Sequence, residues 1–181
     1  MGARLLRWQL QRQDVHAGRR HIATMARSFV SLTAVVDVAS RRVLAHKVAI
    51  TLEACPAREV IEQAFARWGK PDIVNTDPGS QFTASEFTDA VLGQGCQLSM
   101  DGRGAWRDKV FVERLWRSVK FERVSLKAND SVNDARADIA EYIGGYNAGR
   151  AHSSLAEVTP DEHCFAQLPT IMVSTLMAMA A

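Results

Sequence analysis

The sequence contains little cysteine, and the arrangement argues against zinc-binding and disulfide-rich proteins. Cys55, Cys96 and Cys164 are spread across 181 residues, and their number is odd. They form no Cys-x-x-Cys pair and no cluster with histidine, so neither a zinc site nor a disulfide framework is indicated. Free thiols in a reducing compartment are the simplest explanation, and we therefore expect a cytoplasmic protein.

Long hydrophobic runs and a strong excess of charge are missing as well. Residues 168–181 are apolar and uncharged, but this stretch is too short to cross a bilayer as an ordinary helix, so we expect no membrane partner. Residues 1–20 contain five arginines and one acid, which can mimic a transit peptide, but they contain no apolar signal core. The net charge is only +2, so the overall charge does not indicate a partner.

The composition that remains suits one compact domain, with 47% hydrophobic and 23% charged residues. Runs of β-branched and apolar residues alternate with segments of helical periodicity, and Pro and Gly mark several of their ends. This order predicts an α/β domain with a mixed β-sheet flanked by helices. The predicted strands are residues 29–38, 43–50, 70–77 and 96–100, and the predicted helices are residues 51–69, 85–95, 107–124 and 132–150, the last interrupted or ended near Gly144 and Gly145.

Two acidic residues stand where a metal site would be built. Asp77 ends a predicted strand directly before a Pro-Gly turn, although Asp is common in turns without any further role. Glu113 lies on the predicted helix 107–124, where Arg117 would form an ordinary surface ion pair with it. If this helix crosses the end of the strand, the two carboxylates converge and can hold Mg²⁺, which prefers hard oxygen ligands. The apolar face of the helix is predicted to consist of Val112, Leu115, Trp116 and Val119.

Four stretches of the chain together resemble a known family. They read MARSFVSLTAVVDVASRRVLAHKV, GKPDIVNTDPGSQFTASEF, LSMDGRGAWRDKVFVERLWRSVKFERV and YNAGRAHSSLAEVTP, and they lie between about residue 25 and residue 165. In this order they resemble the catalytic core of bacterial insertion-sequence transposases of the retroviral-integrase type, the DDE polynucleotidyl transferases, which have an RNase H-like fold. The most distinctive pair is TDxGSQF followed by GxWRDxxxxERxW.

The resemblance implies a function and assigns site residues. It makes Asp77 the second acid and Glu113 the third acid of the catalytic set, and both would bind Mg²⁺ or Mn²⁺. The metal would activate water or a DNA 3′-hydroxyl for strand cleavage and strand transfer, so no general-base side chain is needed. The implied partners are DNA, both transposon ends and target, and further copies of the chain in an oligomer on that DNA.

The sequence departs from the family pattern at the first acid. Aligned without a gap, that position falls near Arg19, and no acid lies between Asp14 and Asp37. Asp14 would serve only with an insertion after it, while Asp37 resembles a structural turn position. Lys109 stands where similar proteins have Asn, and an ion pair between Lys109 and Glu113 would compete with the metal. Because the family's upstream helix-turn-helix region is also missing, we expect a truncated or decayed copy with impaired activity.

Positive charge concentrates around the same helix. Between residues 103 and 127, eight Lys or Arg residues face three acids, a local net charge of +5. This pattern fits a DNA backbone, although without the resemblance a solvated amphipathic helix explains it equally well. His152 also belongs to a matching stretch, and a local structural role at a helix end suits it equally. The predicted DNA-binding residues are Arg103, Arg107, Lys109, Arg114, Arg117, Lys120 and Arg150.

The expected organisation has three parts: an atypical Arg-rich segment at residues 1–20, an RNase H-like catalytic core at residues 21–167 and an apolar tail at residues 168–181. Two other functions stay open. A non-catalytic remnant of a transposase would bind nucleic acid without cutting it, and an RNase H-type ribonuclease would cut RNA–DNA hybrids. Gln81, just after the turn, is expected either to reach the scissile phosphate or to stabilise the turn through its amide.

Overall fold

The computed structural model of the protein describes residues 14–23, 29–50, 54–100, 105–124 and 131–166. The predicted tail therefore lies outside the described residues, as do residues 1–13. The described residues contain one five-stranded sheet. Its strands, in chain order, are β1 (Asp14–Ala23), β2 (Phe29–Asp37), β3 (Val43–Ala49), β4 (Ile73–Thr76) and β5 (Gln97–Ser99).

Helices occupy most of the remaining described chain. Among these residues, no helix combines the length and the apolar character that crossing a membrane requires. A π-helical turn, Lys120–Val124, follows the α-helix Ala105–Val119, and a short 3₁₀ turn lies at Ser153–Leu155. The α-helices are α1 (Cys55–Trp68), α2 (Ser80–Thr83), α3 (Ser85–Leu92), α4 (Ala105–Val119), α5 (Val132–Gly149) and α6 (Pro160–Ala166).

The sheet is mixed, as the order of elements predicts, and its strand order is β3-β2-β1-β4-β5. Strand β2 runs antiparallel to both β1 and β3, whereas β4 runs parallel to both β1 and β5. The central strand, β1, is not among the predicted strands, because its two arginines and its glycine obscure the alternation of buried residues. It also crosses the expected boundary between residues 20 and 21, so the sheet includes part of the Arg-rich segment.

Helices cover both faces of the sheet. On one face, Val15 and Ala17 of β1 and Val74 of β4 belong to a buried cluster with residues of α1, α2 and α3. On the opposite face, Leu32 and Ala34 of β2 belong to a second cluster with residues of α4 and α5. Because side chains alternate along a strand, the sheet takes part in both hydrophobic cores. The sheet is therefore packed against helices on both of its faces.

The helix that carries Glu113 packs as its periodicity predicts. The four residues of its predicted apolar face, from Val112 to Val119, are all buried. The predicted helix extends to residue 124, but the α-helix ends at Val119 and the π-helical turn follows. That turn is joined to α5 through Arg123, whose guanidinium bonds the carboxylate of Asp138 at 2.9 Å.

The prediction that α5 breaks near Gly144 and Gly145 is wrong, since the helix runs on to Gly149. Ile143 and Tyr146, on either side of the two glycines, are buried in the core. Their packing outweighs the low helix propensity of glycine, which costs about 1 kcal/mol per residue relative to alanine.

Asp37 closes the turn between β2 and β3, which confirms the structural role expected for it. Asp37 is 1% exposed, and its carboxylate accepts hydrogen bonds from the backbone N–H of Ser40 at 2.8 Å and from the Ser40 hydroxyl. Arg41, in the same turn, has a positive φ of 65°. These hydrogen bonds of the buried carboxylate thus lie within the hairpin itself.

Candidate functional site

Asp77 follows the carboxyl end of β4, where a sheet with parallel strands commonly carries its site. Thr76 before it is buried, and Asp77 itself is partly buried. The Asp77 Oδ1 atom accepts a hydrogen bond from the backbone N–H of Gly79 at 2.9 Å. This bond orients the carboxylate before α2 begins at Ser80, so the turn holds Asp77 at the rim of the sheet.

Glu113 is exposed on α4, and the residue before it anchors that helix to the sheet. A Cβ atom built on Gly18 of β1 would lie 2.9 Å from Val112 Cγ1 and 3.4 Å from Trp116 Nε1. The helix can approach this closely because residue 18 has no side chain. Glycine at this position therefore sets the distance between α4 and the centre of the sheet.

Gly18 is also the point at which the elements carrying the two acids meet. In the parallel pairing of β1 with β4, Ala17 lies opposite Thr76, so Gly18 and Asp77 are the next residues along the two strands. Val112, which contacts Gly18, directly precedes Glu113. The strand that ends just before Asp77 and the helix that carries Glu113 thus approach the same stretch of β1.

The register of β1 separates Asp14 from Asp77. Asp14 lies opposite Ile73, at the start of β4, whereas Asp77 follows the end of that strand. Along the strand direction, Asp14 and Asp77 are separated by four residues at about 3.3 Å each. Their Cα atoms therefore lie on the order of 13 Å apart in that direction. The backbone position of Asp14 therefore does not fit a ligand shared with Asp77.

Position 19, where the resemblance places the first acid, also lies on β1. Arg19, to which the resemblance leads, follows Gly18 and pairs with Thr33 of β2. The strand beside Asp77 thus offers glycine and arginine in place of an acid. Among the described residues, no group of three or more His, Cys, Asp or Glu side chains is placed to hold a metal.

The predicted DNA-binding residues have different surroundings. Arg114, Arg117 and Lys120 are exposed on α4 and the turn after it. Arg103 lies outside the described residues. Arg107 and Lys109 lie in the first turns of α4, but their side chains are outside the described part, so the expected ion pair of Lys109 with Glu113 falls there too.

Arg150, in contrast, already has an anionic partner. Its Nη1 atom donates to Glu122 Oε1 at 2.8 Å and to Glu122 Oε2 at 2.7 Å, and Tyr142 donates its hydroxyl to the same carboxylate at 2.9 Å. The hydrogen bond to Glu122 raises the pKa of Arg150. Burial followed by the bond to Glu122 raises the pKa of Tyr142 to about 12. The charge of Arg150 is therefore largely balanced in this state.

His152 takes the local structural role that the sequence left open. Its backbone N–H donates to the carbonyl of Val158 at 3.1 Å, and its ring packs edge-on against Tyr146 with 5.2 Å between the ring centroids. Burial lowers the pKa of the imidazole, and the nearby Arg150 lowers it further. A neutral ring packed on Tyr146 adds no positive charge to the surface.

Sequence reasoning does not reveal the structural roles of two residues in this region. Gly18 lies in the strand that the Arg-rich composition conceals, although buried Val15 and Ala17 just before it show the period of two expected for a strand. Gln81 is buried beside Asp77, and no local pattern indicates that burial.

Comparisons with known proteins agree with the resemblance. A family model described as "Integrase core domain" matches residues 15–105, and a second with the same description matches residues 94–160. The transposase for insertion sequence element IS904 from Lactococcus lactis is 28% identical over 130 residues, which cover 70% of this chain and 51% of that protein. The putative transposase for insertion sequence element IS986/IS6110 from Mycobacterium tuberculosis is 27% identical over 152 residues, covering 78% and 54% respectively. The chain therefore spans about half the length of these relatives.

The chain is similar in fold to solved structures of retroviral integrase catalytic cores. The catalytic core domain of HTLV-2 integrase in complex with magnesium matches with a TM-score of 0.64 and 19% identity, over 83% of this chain and 94% of that one. The catalytic core domain of BIV integrase matches with a TM-score of 0.61 and 17% identity, over 92% and 98% respectively. These matches show that the fold is RNase H-like.

Proposed function

Because this chain belongs to the integrase core domain family, we propose that it is the core of an insertion-sequence transposase that cleaves and joins DNA strands in a metal-dependent reaction. Its substrates are transposon ends and target DNA, and it acts on them as an oligomer. The observation that carries the proposal is the approach of Asp77's strand and Glu113's helix to Gly18. The insertion-sequence transposases to which the chain is similar support the same assignment.

We assign Asp77 and Glu113 as the protein ligands of Mg²⁺ or Mn²⁺. Their chemistry fits this ion, which takes hard oxygen ligands, needs only one or two carboxylates from protein and keeps water and phosphate for its other positions. The hydrogen bond from Gly79 to Asp77 Oδ1 orients one carboxylate in advance. Glu113 is exposed, so solvent and an ion can reach its carboxylate.

The chain's own contribution to the reaction is positioning and charge compensation. A metal bound here would lower the pKa of a coordinated water or hydroxyl group and stabilise charge on the reacting phosphate. Asp77 and Glu113 would hold the metal ion at the rim of the sheet, beside the DNA backbone. Arg114, Arg117 and Lys120, on the helix that carries Glu113 and the turn after it, bind the neighbouring phosphates. Arg103, Arg107 and Lys109, which precede Arg114 in the sequence, are assigned to DNA binding as well.

A second function is favoured by one observation: beside Asp77, β1 offers Gly18 and Arg19 and no acid. A site with two carboxylates carries less negative charge and holds a divalent ion more weakly than a site with three. A non-catalytic remnant would keep the basic surface of α4 and bind DNA without cleaving it. The two functions differ in whether strand breaks appear.

The test uses supercoiled plasmid with Mn²⁺ and the full chain. We expect nicking that is abolished in Asp77→Asn, because the amide has lost the charge that binds the metal. The matched control is Asp72→Asn, an exposed aspartate just before the opposite end of β4, which should nick as the wild type does. Salt-sensitive DNA binding without any nicking would instead support the remnant. Equal nicking by wild type and Asp77→Asn would contradict the assignment of Asp77.

A further inference from the structure

Gln81 is a buried polar side chain close behind Asp77. It lies in α2, and only 4% of its surface is exposed. Its amide oxygen, Oε1, is buried and has no hydrogen-bond partner among the described residues. The turn is held instead by the bond of Gly79 to Asp77 and by the backbone N–H of Phe82, which donates to the carbonyl of Gly79 at 2.9 Å. Among the described residues, the amide oxygen of Gln81 therefore takes no part in holding this turn.

The side chains of Asp77 and Gln81 border the same small space. A Cβ atom built on Gly79 would lie 2.7 Å from Asp77 Oδ1, 2.6 Å from Gln81 Nε2 and 3.0 Å from Gln81 Oε1. The backbone of Gly79 is ordinary extended chain, with φ −65° and ψ 145°. A side chain at residue 79 would therefore displace the ends of the Asp77 and Gln81 side chains, although the backbone conformation itself suits any residue.

An unpartnered amide oxygen in this position calls for an explanation. Buried polar groups nearly always have a partner in the protein or in ordered water, since leaving one without a partner destabilises the folded state. The groups that border the Gln81 amide include the Asp77 carboxylate, the assigned metal ligand. A magnesium-type ion keeps several water molecules when few protein ligands bind it, and their O–H groups are strong donors.

We propose that Gln81 is a positioning residue for the cation at Asp77, and that its amide oxygen accepts a hydrogen bond from a water molecule coordinated to that cation. Gln81 acts through the water and is not itself a ligand. This inference rests on the proposed function, because it requires Asp77 to bind a divalent cation.

The test compares Mn²⁺ affinity with stability in the absence of metal, using the full chain. Gln81→Met keeps the length of the side chain and removes both polar groups. We expect its Mn²⁺ affinity, measured by calorimetry or by the electron paramagnetic resonance of free Mn²⁺, to fall about 10-fold or more, as for other residues that support a ligand. Its midpoint of thermal unfolding without metal should be unchanged or higher, because the amide oxygen that is removed has no hydrogen-bond partner within the described residues.

Two variants serve as matched controls. Gln81→Glu retains an oxygen acceptor at the same place and should keep the affinity of the wild type within a few-fold. Gln63→Met changes an exposed glutamine of α1 and should alter neither the affinity nor the unfolding midpoint.

The outcomes separate this inference from the proposed function. If Asp77→Asn abolishes Mn²⁺ binding while Gln81→Met binds like the wild type, the role of Gln81 is overturned and the metal site stands. If Gln81→Met unfolds at a clearly lower temperature without metal, the amide is structural and the role is overturned as well. If the wild type and Asp77→Asn bind Mn²⁺ equally, or the wild type does not bind it, the proposed metal site fails and the role of Gln81 fails with it.

Discussion

Arg117 and Arg150 have the same side chain, but their neighbours make them different. Arg117 is exposed on α4, on the helix that carries Glu113. Arg150 donates to both oxygens of the Glu122 carboxylate, which in turn accepts from Tyr142. An arginine with a balanced charge contributes little to the attraction of phosphate, so the two residues should contribute unequally to DNA binding.

Replacing each arginine by glutamine tests this difference. We expect Arg117→Gln to weaken binding to duplex DNA and to reduce the slope of log affinity against log salt by about 1, the value for one phosphate contact. Arg150→Gln should change the slope by much less. Titrations at several salt concentrations measure both, and an equal loss for the two variants would mean that the pair of Arg150 with Glu122 opens on DNA.

Tyr146 provides a prediction for alkaline pH. Burial raises its pKa from 10.0 to about 12. A group whose pKa is higher in the folded state stabilises the protein fully below its unfolded pKa, and that stabilisation is lost as the pH rises through the folded value. The free energy of unfolding should therefore fall by about 2 kcal/mol on this account between pH 10 and pH 12.

The measurement is urea unfolding at several pH values. Tyr146→Phe has no phenol to ionise, so its stability should fall less steeply over that range than the stability of the wild type. The same slope in both proteins would show that Tyr146 does not titrate differently in the folded and unfolded states.

Among the elements, the contact between β1 and α4 determines where Glu113 lies. Val112 and Trp116 approach the backbone of Gly18 directly, and the pairing of β1 with β4 brings Asp77 beside the same residue. Gly18 thus contacts α4 and lies beside the end of β4, so it links the position of Glu113 to that of Asp77. A change at Gly18 should affect both the packing of α4 and the relation of the two carboxylates.

Gly18→Ala tests this contact. Its added methyl group would lie 2.9 Å from Val112 Cγ1, so α4 or β1 must shift, and we expect a loss of about 1–3 kcal/mol in the free energy of unfolding. In the double variant with Val112→Ala the clash is removed. The combined loss should therefore be smaller than the sum of the two single losses. Denaturant unfolding of the four proteins measures the coupling, and simple additivity would contradict the contact.

Considered as a whole, the molecule is a sheet with a buried cluster on each face. Trp68 and Ile61 belong to the cluster with α1, and Trp116 and Leu115 belong to the cluster with α4. Because β2 and β3 contribute residues to both clusters, neither helical layer is expected to unfold independently of the other. The rim that carries Asp77 should stay ordered up to the global transition.

Core truncations on opposite faces test this cooperativity. We expect Ile61→Ala and Leu115→Ala each to lower the free energy of unfolding by about 2–5 kcal/mol, and the two losses to add in the double variant. Tryptophan fluorescence and far-ultraviolet circular dichroism should show one coincident transition in every variant. Separate transitions for the two probes would contradict a single cooperative unit.

Much of the fold follows from patterns within short stretches of chain. The hairpin of β2 and β3, the helix α1, the strand before Asp77 and the buried face of α4 are all predicted, because alternation and helical spacing act between near neighbours. The motif around Asp77 and the motif around Glu113 also lie within single stretches. The family and the candidate acids could therefore be recognised before any tertiary contact was known.

Contacts between distant residues decided the rest. The central position of β1, the closeness of Gly18 to Val112, the pairing of Arg150 with Glu122 and the burial of Gln81 beside Asp77 each depend on an element elsewhere in the chain. The side chains near Arg19 do not reveal that β1 pairs with β4. Backbone hydrogen bonds form this pairing, and they leave no pattern in the amino-acid sequence. Short-range periodicity thus determined which elements form, whereas only long-range packing determined which side chains meet.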